Sequence, residues 1–128
     1  MISAFIESVE EAISLSSIVV SSDIQKYFGP SNKEVYITGK LTFIDLSSLE
    51  LSIYALDRGK KLICDKYRFQ YMDSANRLVF RYDNAPHHKE ISSFPMHKHL
   101  PDKVIEAPLP DFKQLMDEIS ALIIKSIK

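Results

Sequence analysis

Residues 67–82 have the sequence Tyr67-Arg68-Phe69-Gln70-Tyr71-Met72-Asp73-Ser74-Ala75-Asn76-Arg77-Leu78-Val79-Phe80-Arg81-Tyr82 and carry the clearest structural signal of the chain. Aromatic and polar side chains alternate before and after a central segment, residues 73–76, that is rich in turn-forming residues. Alternation of period two is typical of a β-strand with one buried face. The central segment favours a chain reversal. We therefore predict a β-hairpin with one aromatic face.

The arginines on the polar face of this hairpin predict an anionic group beside them. A four-residue turn places Phe69 opposite Phe80 on the aromatic face, and Arg68 opposite Arg81 on the other face. Two guanidinium groups directly opposite each other are unfavourable, so we expect an anionic group between them. That group is either a local carboxylate such as Asp83 or a bound phosphate.

Three more segments with the same period precede the hairpin, at residues 18–24, 35–43 and 49–55. Turn-forming residues separate the segments at 29–32, 45–48 and 57–60. Short connections between successive strands indicate antiparallel neighbours, because parallel neighbours need long crossovers. The middle of the chain is therefore predicted to form an antiparallel meander.

Segments with a helical period precede and follow the meander in the sequence. Apolar side chains recur at steps of three and four over residues 2–16 and again from residue 112 to the C-terminus. Asp111 followed by Gln114 has the pattern of a helix start. The predicted fold is a single α+β domain, residues 1–128, with one antiparallel β-sheet of five to six strands flanked by N- and C-terminal α-helices.

Composition and charge narrow the class of protein. No apolar run approaches the ~18 residues that cross a bilayer, and the single cysteine, Cys64, cannot form an internal disulfide. We expect a soluble cytoplasmic protein with no membrane partner. Residues 58–104 carry ten Lys and Arg against five acidic residues, whereas residues 1–57 carry three Lys against eight. A basic segment of this kind favours an anion or nucleic-acid surface, or is simply a solvated basic face.

All four histidines and three of the six prolines lie within residues 81–101. Proline fixes the backbone and lacks an N–H donor, so we predict that this segment is neither helix nor central strand. Cleavage of RNA without a metal needs a base, an acid and a cation at the phosphate, which histidine and arginine supply. The candidate catalytic residues are Arg81, His87, His88, His97 and His99. The candidate substrate-binding residues are Arg68, Lys98 and Asp83.

Two other interpretations of the histidines stay open. His97 and His99 have a spacing that metal sites use on an extended backbone, but Lys98 between them opposes a cation. We therefore expect neither a metal nor another cofactor. Alternatively, the histidines only hydrogen-bond and cap the backbone of a proline-rich segment. The chain's three glycines are well separated, which excludes a phosphate-binding glycine loop.

The chain resembles the TumE family, small prokaryotic toxins of toxin–antitoxin modules. The similarity is carried by residues 39–49, by Tyr67-Arg68-Phe69-Gln70-Tyr71, by Leu78-Val79-Phe80-Arg81-Tyr82-Asp83-Asn84-Ala85-Pro86-His87-His88 and by Phe94-Pro95-Met96-His97-Lys98-His99. It covers about two-thirds of the chain. One departure is Leu46, where the family pattern is closer to Asp-Gly-Ser-x-Leu.

The resemblance implies a toxin that is neutralised by an antitoxin, a helix-turn-helix DNA-binding protein. It assigns no catalytic residues, so the roles given above follow from chemistry alone. The first hypothesis for function is a metal-independent ribonuclease, with RNA as the partner. The second is a non-catalytic domain that binds nucleic acid or protein through its basic face.

Overall fold

The structure is a computed structural model that describes residues 1–127. Its elements follow one another as α1 (Ile2–Ser14), β1 (Val19–Phe28), β2 (Glu34–Phe43), β3 (Ser48–Asp57), β4 (Leu62–Met72), β5 (Leu78–Asp83), β6 (His97–Leu100), β7 (Lys103–Glu106) and α2 (Phe112–Ile127). A short 3₁₀ turn, Pro30–Asn32, connects β1 to β2. The prediction of an α+β fold, with one antiparallel sheet flanked in the sequence by N- and C-terminal helices, is confirmed. Lys128, the end of the predicted C-terminal helix, lies outside the described residues.

All seven strands form one sheet in the order β1-β2-β3-β4-β5-β6-β7, and each neighbouring pair is antiparallel. The meander is therefore confirmed, but the predicted count of five to six strands is too low. The expectation that residues 81–101 hold no central strand is also wrong, since β6 lies between β5 and β7. The sequence did not predict β6 and β7 because each strand has only four residues. In addition, the alternate positions of β6 are histidines rather than apolar side chains.

One face of the sheet and both helices share the hydrophobic core. Alternate residues of the central strands are buried on this face, as the period of two predicts. They are Val35, Ile37, Leu41 and Phe43 of β2, Leu49, Leu51, Ile53 and Ala55 of β3, Tyr67, Phe69 and Tyr71 of β4, and Phe80 and Tyr82 of β5. The other face is turned away from the helices, and it positions the residues described below.

The β4–β5 hairpin is confirmed, but its register differs from the predicted one. Tyr71 pairs with Phe80 and Gln70 with Arg81, after a bulge next to Met72. Arg68 consequently lies opposite Asp83 rather than opposite Arg81. The register is shifted by two residues, from Leu78 to Phe80 opposite Tyr71. Because this number is even, every side chain stays on its predicted face and the aromatic face is retained.

The two helices pack with their apolar stripes inward. Ile2, Ile6 and Val9 of α1 are buried, and the ring of Phe112 in α2 meets that of Phe69 with 6.1 Å between centroids. The predicted helix start is confirmed: the backbone N–H of Asp111 donates to the side-chain oxygen of Gln114 over 3.4 Å. In the described part of the chain, neither helix combines the length and the apolar composition that crossing a bilayer requires.

The turn between β2 and β3 contains a strained residue. Leu46 has φ +67°, and its side chain is largely exposed. The left-handed conformation costs a residue with a Cβ about 1–2 kcal/mol, and glycine avoids most of that cost. Leu46→Gly should therefore raise the free energy of unfolding by about 0.5–1 kcal/mol, after the greater chain entropy of glycine is subtracted. Urea denaturation measures the change.

Leu46→Ala is the matched control because it also removes the exposed apolar side chain but keeps the Cβ. It should bring no gain in stability. An equal gain from both variants would show that the exposed leucine side chain, not the backbone conformation, is the source of the effect.

Candidate active site

Two neighbouring strands bring four charged or titratable side chains to one place. Arg81 of β5 lies opposite His99 of β6, and Asp83 lies opposite His97. Side chains two residues apart on a strand share a face, so all four belong to the same face. It is the face turned away from the helices, because Tyr82 between them is buried on the helical side.

Asp83 is the centre of the cluster. Its Oδ2 accepts a hydrogen bond from Arg81 Nε over 3.0 Å, and its Oδ1 lies 2.8 Å from His97 Nε2. Oδ1 also accepts the backbone N–H of Ala85 over 3.1 Å, and His99 Nε2 lies 3.5 Å from Oδ2. Asp83 is buried, so these contacts replace the water that a carboxylate would otherwise bind.

His97 is held at both ring nitrogens. Its Nδ1 donates to the backbone carbonyl of Pro95 over 2.8 Å, which leaves the Nε2 of a neutral ring without a proton. That Nε2 lies 3.0 Å from His99 Nε2 as well as next to Asp83. Only 2% of the His97 side chain is exposed, so the ring contacts other side chains rather than solvent.

His99 and His88 are the more accessible imidazoles. The exposed fraction of the side chain is 18% for His99 and 35% for His88. Burial, followed by the charge of Arg81, lowers the pKa of His99 below its ordinary value. The His88 ring lies with its centroid 5.5 Å from that of His99 and 5.3 Å from that of His97, and its Nδ1 lies 3.3 Å from Glu90 Oε1.

The two arginines of the predicted pair share an amide oxygen instead of opposing each other. Gln70 Oε1 accepts a hydrogen bond from Arg68 Nη2 over 2.6 Å and a longer one, 3.5 Å, from Arg81 Nη1. The predicted contact of Arg68 with Arg81 is therefore wrong, because the bulge in the hairpin moves Gln70 opposite Arg81. Both guanidinium groups nevertheless lie on the same face of the sheet.

A cavity of about 760 Å³ opens above the cluster. Its walls include six of the eight predicted site residues, namely Arg68, Arg81, Asp83, His87, His97 and His99. The cavity is concave and its lining has three cationic side chains, Lys66, Arg68 and Arg81, against two carboxylates, together with imidazoles. An excess of cationic groups suits an anionic ligand.

Comparison with models of protein families shows the family to which the chain belongs. A family model described as Toxin TumE matches residues 9–127, which is nearly the whole chain and includes every residue of the cavity. The chain belongs to the TumE toxin family. Comparison with curated proteins and with solved structures gave no match. A TumE toxin is one component of a toxin–antitoxin system, and its family therefore implies an antitoxin partner.

Lys98 is a predicted site residue that the TumE fold does not bring to the cluster. It lies on the helical side of β6, where Nζ contacts Glu118 of α2 over 2.7 Å and lies 4.7 Å from the centroid of the Tyr82 ring. Burial opposes its charge, but the hydrogen bonds to Glu118 and Tyr82 outweigh this and raise the pKa of Lys98. Lys98 therefore ties the sheet to α2, on the side away from the histidines.

The remaining predicted residues lie at the edge of the site. His87 is exposed on the rim of the cavity, and His88 has φ +60°. Neither makes a polar contact with Asp83 among residues 1–127. In this TumE toxin the four histidines are thus unequal: His97 is buried, His99 and His88 adjoin it, and His87 faces solvent.

Two supporting residues escaped the sequence analysis. Gln70 links the arginines, and Asn84 ends β5 by accepting the N–H of Tyr67 over 3.1 Å and donating to the carbonyl of Asp65 over 2.9 Å. Asn84 thereby fixes the chain where it leaves the sheet for the histidine segment. Its place between a strand and Ala85-Pro86 was a signal for such a cap, since asparagine side chains often bond nearby backbone at strand ends.

Proposed function

We propose that this TumE toxin is a metal-independent ribonuclease whose active site is the Arg81–Asp83–His97–His99 cluster. The observation that carries the proposal is the pairing of Arg81 with His99 at the cavity, both linked to the buried carboxylate of Asp83. A phosphate-binding cation and a proton-transfer group then lie on the same face, one strand apart. That is the minimal equipment for cleavage of a phosphodiester by general acid–base catalysis.

The proposed reaction uses the 2′-hydroxyl of the RNA itself. A base takes the proton of this hydroxyl, and its oxygen then bonds to the adjacent phosphorus. The bond from phosphorus to the 5′-oxygen breaks, and an acid gives a proton to the departing oxygen. The products are a 2′,3′-cyclic phosphate and a 5′-hydroxyl, so that no water, metal or oxidant is consumed.

Accessibility assigns the proposed roles. His99 lines the cavity with 18% of its side chain exposed, and His88 lies beside it, outside the lining, with 35% exposed, so these two would exchange the protons. His97 would act as a positioning residue, because its 2% exposure keeps it from the substrate while it contacts both Asp83 and His99. Arg81 would bind the scissile phosphate and stabilise the charge that develops on it.

Arg68 extends the proposed RNA site along the open face of the sheet. A second cavity of about 310 Å³ adjoins the first and shares Ser52 and Arg68 with it. Tyr36 lines this second cavity and stacks on Tyr27 of β1, with ring centroids 6.3 Å apart. Exposed aromatic rings stack with unpaired bases while cationic side chains bind the backbone, so this face suits a single strand of RNA.

The same open face supports the second candidate, a toxin that binds nucleic acid or protein without cleaving it. Arg68 and the Tyr27–Tyr36 stack would hold a nucleic acid even if the histidines transferred no proton. In this case the histidines only support the structure. Turnover, rather than binding, separates the two candidates.

The first test is cleavage of RNA in the presence of a chelator. The purified full chain in EDTA should cut single-stranded RNA and leave 5′-hydroxyl ends, which a polynucleotide kinase labels without prior phosphatase treatment. DNA of the same sequence should stay intact because it lacks the 2′-hydroxyl. Gel electrophoresis of both substrates measures the outcome.

Two results would contradict the ribonuclease. Ends carrying a 5′-phosphate would mean that the 2′-hydroxyl is not the nucleophile. RNA that is bound but never cut, with an affinity that falls steeply as salt rises, would favour the binding candidate.

The antitoxin is proposed to be a helix-turn-helix DNA-binding protein encoded next to this toxin, acting in the cytoplasm. The support is the family resemblance, since antitoxins of this kind accompany TumE toxins. Sequencing the adjacent gene identifies the partner directly.

A further inference from the structure

Three possible metal ligands converge beside the cavity. The nitrogens His97 Nε2 and His99 Nε2 are 3.0 Å apart, and the Asp83 carboxylate oxygens lie 2.8 Å and 3.5 Å from them. All three ligand atoms lie within 4.8 Å of one another. Ligands bound to one ion at about 2.0–2.1 Å lie roughly 3 Å apart at adjacent positions, so the observed spacing matches that of a metal site.

The contacts of His97 aim one nitrogen at the point of convergence. The bond from Nδ1 to the carbonyl of Pro95 orients the ring so that Nε2 faces both the Asp83 carboxylate and His99 Nε2. A proton on Nε2 would bridge to the carboxylate, and a metal ion at the same point would instead bind both imidazole nitrogens and the carboxylate. A cation at the centre satisfies all three, and a histidine whose other nitrogen donates to a backbone carbonyl is the usual form of a metal ligand.

The surroundings also allow a cation at this point. Lys98, which argued against a metal in the sequence, lies on the opposite face of the sheet and is neutralised by Glu118. The bond from Arg81 Nε goes to Asp83 Oδ2, so Oδ1, which accepts the backbone N–H of Ala85, keeps a second lone pair. Two imidazoles and one carboxylate suit zinc and similar divalent transition metals, and the cavity leaves the fourth position open.

We propose that Asp83, His97 and His99 bind one divalent transition-metal ion of the zinc class, and that the bound ion blocks the ribonuclease reaction. Binding follows from the geometry alone, whereas the inhibition rests on the proposed function. Coordination displaces any proton from His99 Nε2 to solvent and occupies its lone pair. The imidazole then neither accepts a proton from the RNA nor donates one to it.

The test of binding uses zinc ions and the full chain after dialysis against EDTA and removal of the chelator. Titration calorimetry should show one zinc ion per chain. His99→Ala should weaken the affinity at least tenfold, because it removes a ligand. His87→Ala is the matched control and should bind zinc as the wild type does, since His87 is exposed and lies outside the three ligands.

A second variant and a fold check keep the result interpretable. Asp83→Asn keeps the shape of the side chain but removes the charge, and it should also weaken zinc binding at least tenfold. Circular dichroism and a thermal melt show whether each variant is folded. The site is disproved if the wild type binds no zinc in a saturable manner, or if His87→Ala loses as much affinity as His99→Ala.

The effect on activity is measured separately with the RNA cleavage assay. Stoichiometric zinc should stop cleavage by the wild type, and added EDTA should restore it. Zinc binding with undiminished or increased cleavage would overturn the inhibition while the site stands. Absence of cleavage in every metal condition would overturn the proposed function, and the calorimetric result would still decide the site.

Discussion

Replacing either Arg81 or His99 by alanine should lower the rate of RNA cleavage by about 10²–10⁴-fold and abolish growth arrest in a host that lacks the antitoxin. The first change removes the guanidinium that is proposed to bind the phosphate, and the second removes the imidazole that is proposed to exchange protons. Both losses act on the transition state, so they should lower the rate constant more than they weaken RNA binding. Single-turnover cleavage and a binding titration measure the two effects.

The matched control for Arg81→Ala is Arg77→Ala. Arg77 lies in the same hairpin but is exposed and, within residues 1–127, forms an ion pair only with Asp73, so its removal should leave cleavage and growth arrest unchanged. Arg81→Lys keeps the positive charge but loses the planar fork, and it should stay strongly impaired. Growth arrest by Arg81→Ala equal to that of the wild type would end the assignment of Arg81 to the phosphate.

Alanine variants of His88 and His97 test two different proposed roles, proton transfer and positioning. His88→Ala should lower the rate of RNA cleavage because His88 is proposed to be the second proton-transfer group. His97→Ala should also lower it, but through the loss of the contacts to Asp83 and His99 rather than through substrate. A thermal melt accompanies His97→Ala because the ring is buried. RNA from arrested cells that shows no new cleavage ends would contradict catalysis by any of these residues.

The strands and helices of this fold were predictable because their two faces differ strongly in polarity. Phe69 and Tyr71 alternate with Arg68 and Gln70, so only one orientation of the strand buries the aromatic rings. The same contrast is absent from β6, where His97 is buried on one face and Lys98 is half-buried on the other. A pattern of polar residues on both faces gives no period that indicates a strand.

The register of the β4–β5 hairpin depended on turn geometry that composition leaves open. Asp73 Oδ1 accepts the N–H groups of Ala75 and Arg77, and Asn76 has φ +62°. These contacts make the loop one residue longer than the turn residues alone suggested, and a bulge next to Met72 adds a second shift. The sum of the two shifts separates Arg68 from Arg81.

Which residues gather at the cavity was predictable for six of the eight candidates, but neither their order nor the position of Lys98 on the opposite face was. Clustering of Arg81, Asp83 and the histidines in the sequence indicated where chemistry could occur. It did not indicate that His97 is buried while His87 is exposed, because that follows from β6 pairing between β5 and β7. The position of Lys98 follows from the same pairing, since it alternates with the two histidines along β6.

The largest loss of stability should come from Phe80→Ala, which we expect to lower the free energy of unfolding by about 3–5 kcal/mol. Phe80 is 2% exposed, and its ring centroid lies 5.3 Å from that of Tyr71 and 5.4 Å from that of Tyr82. It also lies beneath Lys98 Nζ, 4.9 Å from the ring centroid. Truncation removes these contacts and leaves a cavity between the sheet and α2. Urea denaturation measures the loss.

The control is Phe28→Ala at the end of the edge strand β1, where the side chain is about half exposed. Its removal should change the free energy of unfolding by no more than about 0.5 kcal/mol, as is usual for surface positions. A loss below about 1 kcal/mol for Phe80→Ala would mean that the aromatic face is not covered by the helices. The open face that holds Arg81 and the histidines would then no longer be the only one accessible to RNA, and the location of the proposed site would have to be revised.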